Sequence, residues 1–266
     1  MRVLIACDME GLSGVVHWDH VSPKHAEYAR FRQIMTDEVN AAIDGALDGG
    51  ATHLIVTDGH HHGRNLLIEQ LRAPARLISG GPAPLSMVQG AAEVDAACFI
   101  GYHARAGTLN AVLCHTWTDE VRGVWLNDRA VGEIGLNAAV CGHFGVPIRL
   151  VTGDRAAVQE AIELLGPIET VAVKQALSRM SAECYPAAEN HHAIRAAAKR
   201  ALTTPGTPWT VETPVRLRVE LNRPDQADRA ATLPGIRRVN GTTVEWIGRD
   251  PIETYAVFRT IADLGG

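Results

Sequence analysis

Apolar residues fall in short blocks, broken by glycines, prolines and acids, and the blocks follow two different periods. Residues 2–7 (RVLIAC) form a nearly unbroken apolar run, the mark of a short strand buried on both faces. In residues 23–47 the period changes: Phe31, Ile34, Met35, Val39, Ala42, Ile43, Ala46 and Leu47 recur at helical spacing. Gly49-Gly50 then supplies the C-terminal stop that such a helix needs. Residues 53–57 (HLIVT) return to strand character and end in Asp-Gly-His. A strand, a helix and a strand in this order imply parallel pairing through a right-handed crossover.

The alternation continues. Residues 76–79, 96–101 and 111–114 read as further strands, the last ending at His115. Residues 125–127 and 129–131 read as a hairpin about Asn127-Asp128. Residues 133–144 and 155–165 read as helices on either side of a strand at 148–152. Past about residue 185 the texture shifts. An Ala-rich helix at 190–202 is followed by a Pro-Gly-Thr-Pro breaker and the strictly alternating strand 215–221 (VRLRVEL), half-solvated by its pattern. A helix at 226–232 follows, then strands at 236–239 and 243–247 about the Asn240-Gly241 turn, and a closing helix at 251–264. The expected fold is α/β, a mostly parallel sheet flanked by helices, with a smaller C-terminal α+β unit. The expected domains are residues 1–185, carrying the chemistry, and residues 186–266.

With 266 residues, 46% of them hydrophobic, the chain can bury a large core. A net charge of −5 gives no electrostatic footprint for nucleic acid or an anionic membrane. No apolar run approaches the 18 residues of a membrane span, and the first one is too short for a signal-peptide core. The five cysteines form no CxxC pair and read as reduced, buried thiols. Together these features point to a cytoplasmic protein that needs no disulfides.

The chemistry is expected where strands end. The first strand ends in Asp8-Met9-Glu10, the second in Asp58-Gly59-His60, a later one in Tyr102-His103, and the next in His115. In an open parallel sheet these ends share one rim, where ligand sites form. Each residue also has an ordinary alternative. Asp8 and Glu10 suit a turn or a cap, and His60 belongs to a solvent-seeking run of three histidines. His103 suits a hydrogen-bonded core, and Glu133 a helix N-terminus. Taken jointly, two imidazoles and three carboxylates without thiolate suit Zn²⁺. A bridging Asp8 would leave each of two metals about three protein ligands and room for water.

Several motifs, in the same order, carry a family resemblance. They are Asp8-Met-Glu-Gly-Leu-Ser-Gly, Asp58-Gly-His60, Gly101-Tyr-His103-Ala-Arg105, Cys114-His115-Thr, and the run from Asn127 through Glu133 to Asn137. With Val173-Lys174-Gln175 and Ser178-Arg179, they resemble the D-aminopeptidases of the bacterial dipeptide-permease type, chiefly over residues 1–187. The resemblance implies a binuclear zinc peptidase with two Zn²⁺ per subunit, held by Asp8, Glu10, His60, His103 and Glu133, with Asp8 as the bridge. It implies a catalytic role for His115. It also implies a self-compartmentalising homo-oligomer, a ring-stacked decamer whose sites face an inner cavity.

The expected reaction removes the N-terminal residue, of D configuration, from short peptides or amides. His115 serves as acid and base in preference to nucleophile. Asp58, Asn127, Asn137 and Lys174 are the supporting candidates: Asp58 to orient an imidazole, Lys174 to neutralise the acids or bind a peptide carboxylate. The alternatives are a metal-dependent amidase acting on L-peptides or non-peptide amides, an Mg²⁺-dependent aspartyl phosphatase, and a non-catalytic peptide-binding protein. Histidines at strand ends argue against the phosphatase, since Mg²⁺ prefers oxygen ligands.

Overall fold

The computed structural model describes residues 1–265. Its larger sheet contains β1 (Arg2–Cys7), β2 (His53–Asp58), β3 (Arg76–Ile78), β4 (Ala96–Tyr102), β7 (Ile148–Asp154), β8 (Glu169–Ser178) and β9 (Ser181–Cys184). The strand order is β3-β2-β1-β4-β7-β8-β9, and every pairing is parallel except β8 with β9. The smaller sheet is antiparallel. It contains β5 (Val121–Leu126), β6 (Arg129–Val131), β10 (Val215–Leu221), β11 (Arg237–Arg238) and β12 (Thr243–Gly248), in the order β11-β12-β10-β5-β6.

Alternation along the buried strands sends side chains to two separate cores. Val3, Ile5 and Cys7 of β1 pack with residues of α1 (Tyr28–Asp48) and α4 (Ala187–Thr203). Leu4 and Ala6 face the other way. There they meet α2 (Glu133–His143), α3 (Arg155–Leu165), α6 (Pro251–Gly265) and the inner face of the antiparallel sheet. A short helix, α5 (Pro224–Ala230), lies against the same core. The parallel sheet is therefore the middle layer. Its carboxyl edge opens beside the second sheet and α6.

The α/β class and the parallel sheet agree with expectation. Residue 185, however, does not divide the two sheets. β5 and β6 precede it yet pair with β10, and α4 follows it yet packs beside α1. Residues 111–114 form no strand. They turn, with Leu113 at φ 46, because a turn carbonyl and a side-chain carboxylate, in place of a neighbouring strand, hold their backbone. Leu113 N–H donates to Arg179 O at 2.8 Å, and Val112 N–H donates to the Asp154 carboxylate at 2.6 Å. No helix of the described residues is long and apolar enough to cross a membrane.

Candidate metal centre

Backbone contact brings the strand ends together. Gly11 follows the Asp8-Met9-Glu10 turn, and its N–H donates to Gly101 O at 2.8 Å. A Cβ on Gly11 would lie 1.9 Å from Tyr102 O. One on Gly101, whose φ is +74, would lie 2.3 Å from Asp8 O. Only glycines let these turns touch, and the contact sets Glu10 near His103. The β2 end is organised differently. The Asp58 carboxylate accepts from Asn65 N–H (2.6 Å), Asn65 Nδ2 (2.6 Å) and Leu66 N–H (2.8 Å), while Asn65 Nδ2 also donates to His60 O at 2.7 Å. This closed loop turns His60 back over β1. Glu133 opens α2 and accepts from Trp117 N–H at 2.8 Å.

The five expected ligands and His115 meet in one buried cluster. Asp8 offers one oxygen to each side: Oδ1 lies 3.1 Å from His60 Nδ1, and Oδ2 lies 3.5 Å from His103 Nε2. Glu10 Oε2 is 3.2 Å from His60 Nδ1, and Glu133 Oε1 is 3.2 Å from His103 Nε2. His115 stacks on His103 at 4.0 Å between centroids, with its Nε2 3.8 Å from Glu133 Oε1. Donor atoms of Asp8, Glu10 and His103 all lie within 4.8 Å of one another, as do those of His103, His115 and Glu133. His115, outside the expected ligand set, thus lies within reach of the second position.

Tautomers decide what the cluster holds. A carbonyl can only accept, so the ring nitrogen that faces one carries the proton. His60 Nε2–H donates to Val21 O (2.9 Å), His103 Nδ1–H to Ala104 O (3.1 Å), and His115 Nδ1–H to Leu113 O (2.8 Å). Each neutral ring then turns a bare lone pair toward carboxylate oxygens. Lone pairs facing lone pairs repel unless a proton or a metal cation lies between them. His103 Nε2 and Glu10 Oε2 are buried without a hydrogen-bond partner. Outward-donating imidazoles with inward lone pairs and carboxylates are the arrangement that orients metal-bound histidines, and the donor set fits Zn²⁺.

In the cation-free cluster the charges respond to burial and to one another. Burial, followed by the Glu10 charge, raises the Asp8 carboxyl to about 7. Burial opposes charge on His60 and His103. Glu10 and Asp8 outweigh it at His60, and Glu133 and Asp8 at His103, so both imidazoles lie well above their ordinary value. His115 goes the other way, pushed down by burial and then by His103, so its neutral form is favoured.

The supporting candidates divide. Asp58 orients no imidazole; it shapes the loop carrying His60. Asn127 lies away from the cluster at the β5–β6 turn. Its side chain donates to Glu212 O (2.7 Å) and accepts from Arg216 N–H (2.7 Å). Asn137, one turn after Glu133, donates to Tyr102 Oη (3.0 Å) and accepts from Tyr255 Oη (2.9 Å), joining α2 to β4 and α6. Lys174 is fully buried and reaches no peptide. Its Nζ donates to the carbonyls of Glu10, Leu12 and Val15 at 2.6, 2.7 and 2.8 Å, which holds the loop that bears Glu10. Burial lowers its pKa to about 8.

The cluster forms one wall of a cleft of about 890 Å³. Trp18, Met87, Trp117 and Arg259 also line this cleft, and none of them was singled out from sequence. Trp18 meets the His115 ring edge-on at 5.2 Å. No motif marks these residues, because each reaches the cleft from a different loop or helix.

A family model for D-aminopeptidases matches residues 1–260. The chain is 37% identical over 268 aligned residues to a D-aminopeptidase of Bacillus subtilis, covering 99% of this chain and 97% of that one. It also superposes with a TM-score of 0.97 on the solved Zn-dependent D-aminopeptidase DppA from Bacillus subtilis, described as a self-compartmentalizing protease. That match covers 100% of this chain and 98% of the other, at 37% identity. A match of this extent, over a buried acid and imidazole cluster in a deep cleft, means that the chain belongs to the D-aminopeptidase family and is a peptidase.

Proposed function

We propose that this enzyme binds two zinc ions per subunit and removes the N-terminal D-residue from short peptides or amides. One observation carries the reading: the Asp8 carboxylate divides its oxygens between two imidazoles. Two cation positions can share it, one with Glu10 and His60, the other with His103 and Glu133. Zinc there, when bound, supplies Lewis acidity toward the scissile carbonyl and lowers the pKa of water toward about 7.

The chain's own residues do the rest. The substrate's amino end would enter the cluster as the free amine, since the three carboxylates there are matched by two dications. Trp18 narrows the cleft beside His115, and Trp117 lines it from its packing against Tyr255 and Phe258. His115 Nδ1–H is committed to Leu113 O, so Nε2 is the atom that takes and returns a proton. Burial disfavours the charged ring, which leaves that nitrogen free as a base. Lys174 fixes the Glu10 backbone without touching substrate. The self-compartmentalizing description of the Bacillus subtilis structure supports a homo-oligomer, which we take as a cytoplasmic decamer.

The test is an assay of D- and L-aminoacyl amides and dipeptides, using metal-stripped enzyme titrated with zinc. Activity returning in step with two zincs per subunit, with D substrates preferred, is the expected result. Protein that holds two zincs and cleaves none of these substrates overturns the reading.

A further inference from the structure

Acids line the cleft along the cluster, and Asp263 adds another further out. Among the described residues that line it, Arg259 is the one arginine or lysine. Its Nη1 and Nη2 donate to the carbonyls of Ala83 and Pro84, each at 3.0 Å, and its guanidinium lies 5.2 Å from the centre of the Tyr255 ring. Tyr255 Oη in turn donates to Asn137, on the helix that bears Glu133. The guanidinium is thus held in a fixed plane on the metal-bearing scaffold. Two carbonyls occupy two of its five N–H groups and Nε is buried without a partner, which leaves one further N–H on each of Nη1 and Nη2 to donate to a ligand. Among the described residues no carboxylate forms an ion pair with it, although most other arginines of the chain are paired, such as Arg179 with Asp119 and Arg237 with Glu245.

We infer that Arg259 binds the C-terminal carboxylate of the peptide, which makes the enzyme selective for short peptides with a free carboxyl end. The inference rests on the aminopeptidase reading above and adds the second recognition point. The substrate's two ends carry opposite charges. The amino end belongs at the cluster, where the N-terminal residue is removed, and the carboxylate suits a positioned guanidinium able to donate two hydrogen bonds. A cleft of about 890 Å³ holds a few residues, and an extended chain spans only about 3.3–3.6 Å per residue. Reading both ends at once therefore limits substrate length as well as polarity.

The test compares D-alanyl-glycine with D-alanyl-glycinamide on zinc-loaded, full-length enzyme, wild type and Arg259→Gln. The wild type is expected to favour the free acid, mainly through KM, by about tenfold to a hundredfold, the scale of a charged hydrogen-bonded pair. In Arg259→Gln the KM for the acid rises by that factor. The amide is unaffected, and zinc content is unchanged. Arg259→Lys, which keeps the charge but loses the fork, retains part of the preference. Equal wild-type efficiency on acid and amide overturns the assignment while leaving the peptidase reading intact, and needs no variant to fold. An equal loss on both substrates in Arg259→Gln, with Arg259→Lys no better, also overturns it. Failure of the wild type to cleave either compound removes the peptidase reading and this inference together.

Discussion

Two regions of the molecule handle charge in opposite ways. On the antiparallel sheet and its surroundings, arginines pair with acids at the surface: Arg216 with Asp128, Arg223 with Glu120, Arg237 with Glu245, Arg238 with Asp228. Each charge there already has its opposite, and water covers most of them. At the carboxyl rim of the parallel sheet, Asp8, Glu10, His60, His103 and Glu133 are buried. Each imidazole commits one N–H to a backbone carbonyl and turns its other nitrogen toward carboxylates, where a proton and a metal compete. Burying polar groups without compensation is costly, so a fold tolerates this arrangement where something supplied from outside completes it. The difference teaches that charge density alone does not mark a site. Unbalanced, buried donor geometry does.

The comparison is tested most severely at the shared carboxylate. Asp8→Ala should remove both zincs in elemental analysis and lower kcat by on the order of 10³-fold or more, since the metals supply several kcal/mol of transition-state stabilisation. His115→Ala should lower kcat by roughly 10²–10⁴ with two zincs retained. Loss of one zinc in that variant would instead make His115 a ligand, a role its distance from Glu133 permits. Lys174→Met leaves three buried carbonyls unpaired. A loss of about 3 kcal/mol or more in denaturant unfolding is expected, with weakened zinc retention through the Glu10 loop.

Acid should act on the rim and spare the surface sheet. Protons and zinc compete for the inner nitrogens, and in the cation-free cluster His60 and His103 hold protons above the ordinary imidazole value of about 6.5. Zinc affinity, followed by isothermal titration or a chelating dye, therefore falls as pH drops, starting above that value. The smallest effect belongs to the surface. Arg237→Ala breaks an exposed pair and should shift unfolding by less than about 1 kcal/mol, with no change in zinc content. A surface pair worth as much as Lys174 would erase the contrast.

Much of the fold was legible because its signals are local. The apolar runs ending in Asp8, Asp58 and Tyr102 are strands, and the periodic stretches ending at Gly49 and near Phe144 are helices. Signals that depend on distant partners were misread. Residues 111–114 have a strand's composition but turn under the hold of Arg179 and Asp154. The second sheet looked wholly C-terminal, because nothing in residues 121–131 announces that they pair with β10. Lys174 is a sequence candidate to neutralise the acids or bind a peptide carboxylate, yet it donates to three carbonyls some 160 residues away in sequence.

The amino-acid order alone marked Asp8, Asp58 and Tyr102-His103 as strand ends, since each closes a continuous apolar run. Folding in three dimensions settled which of them share a cavity and which way each ring faces. Gly11 had to meet Gly101, and Val21 had to offer its carbonyl to His60, before lone pairs could converge. Such contacts join segments far apart in the chain, and their geometry is set by packing, which no local period encodes.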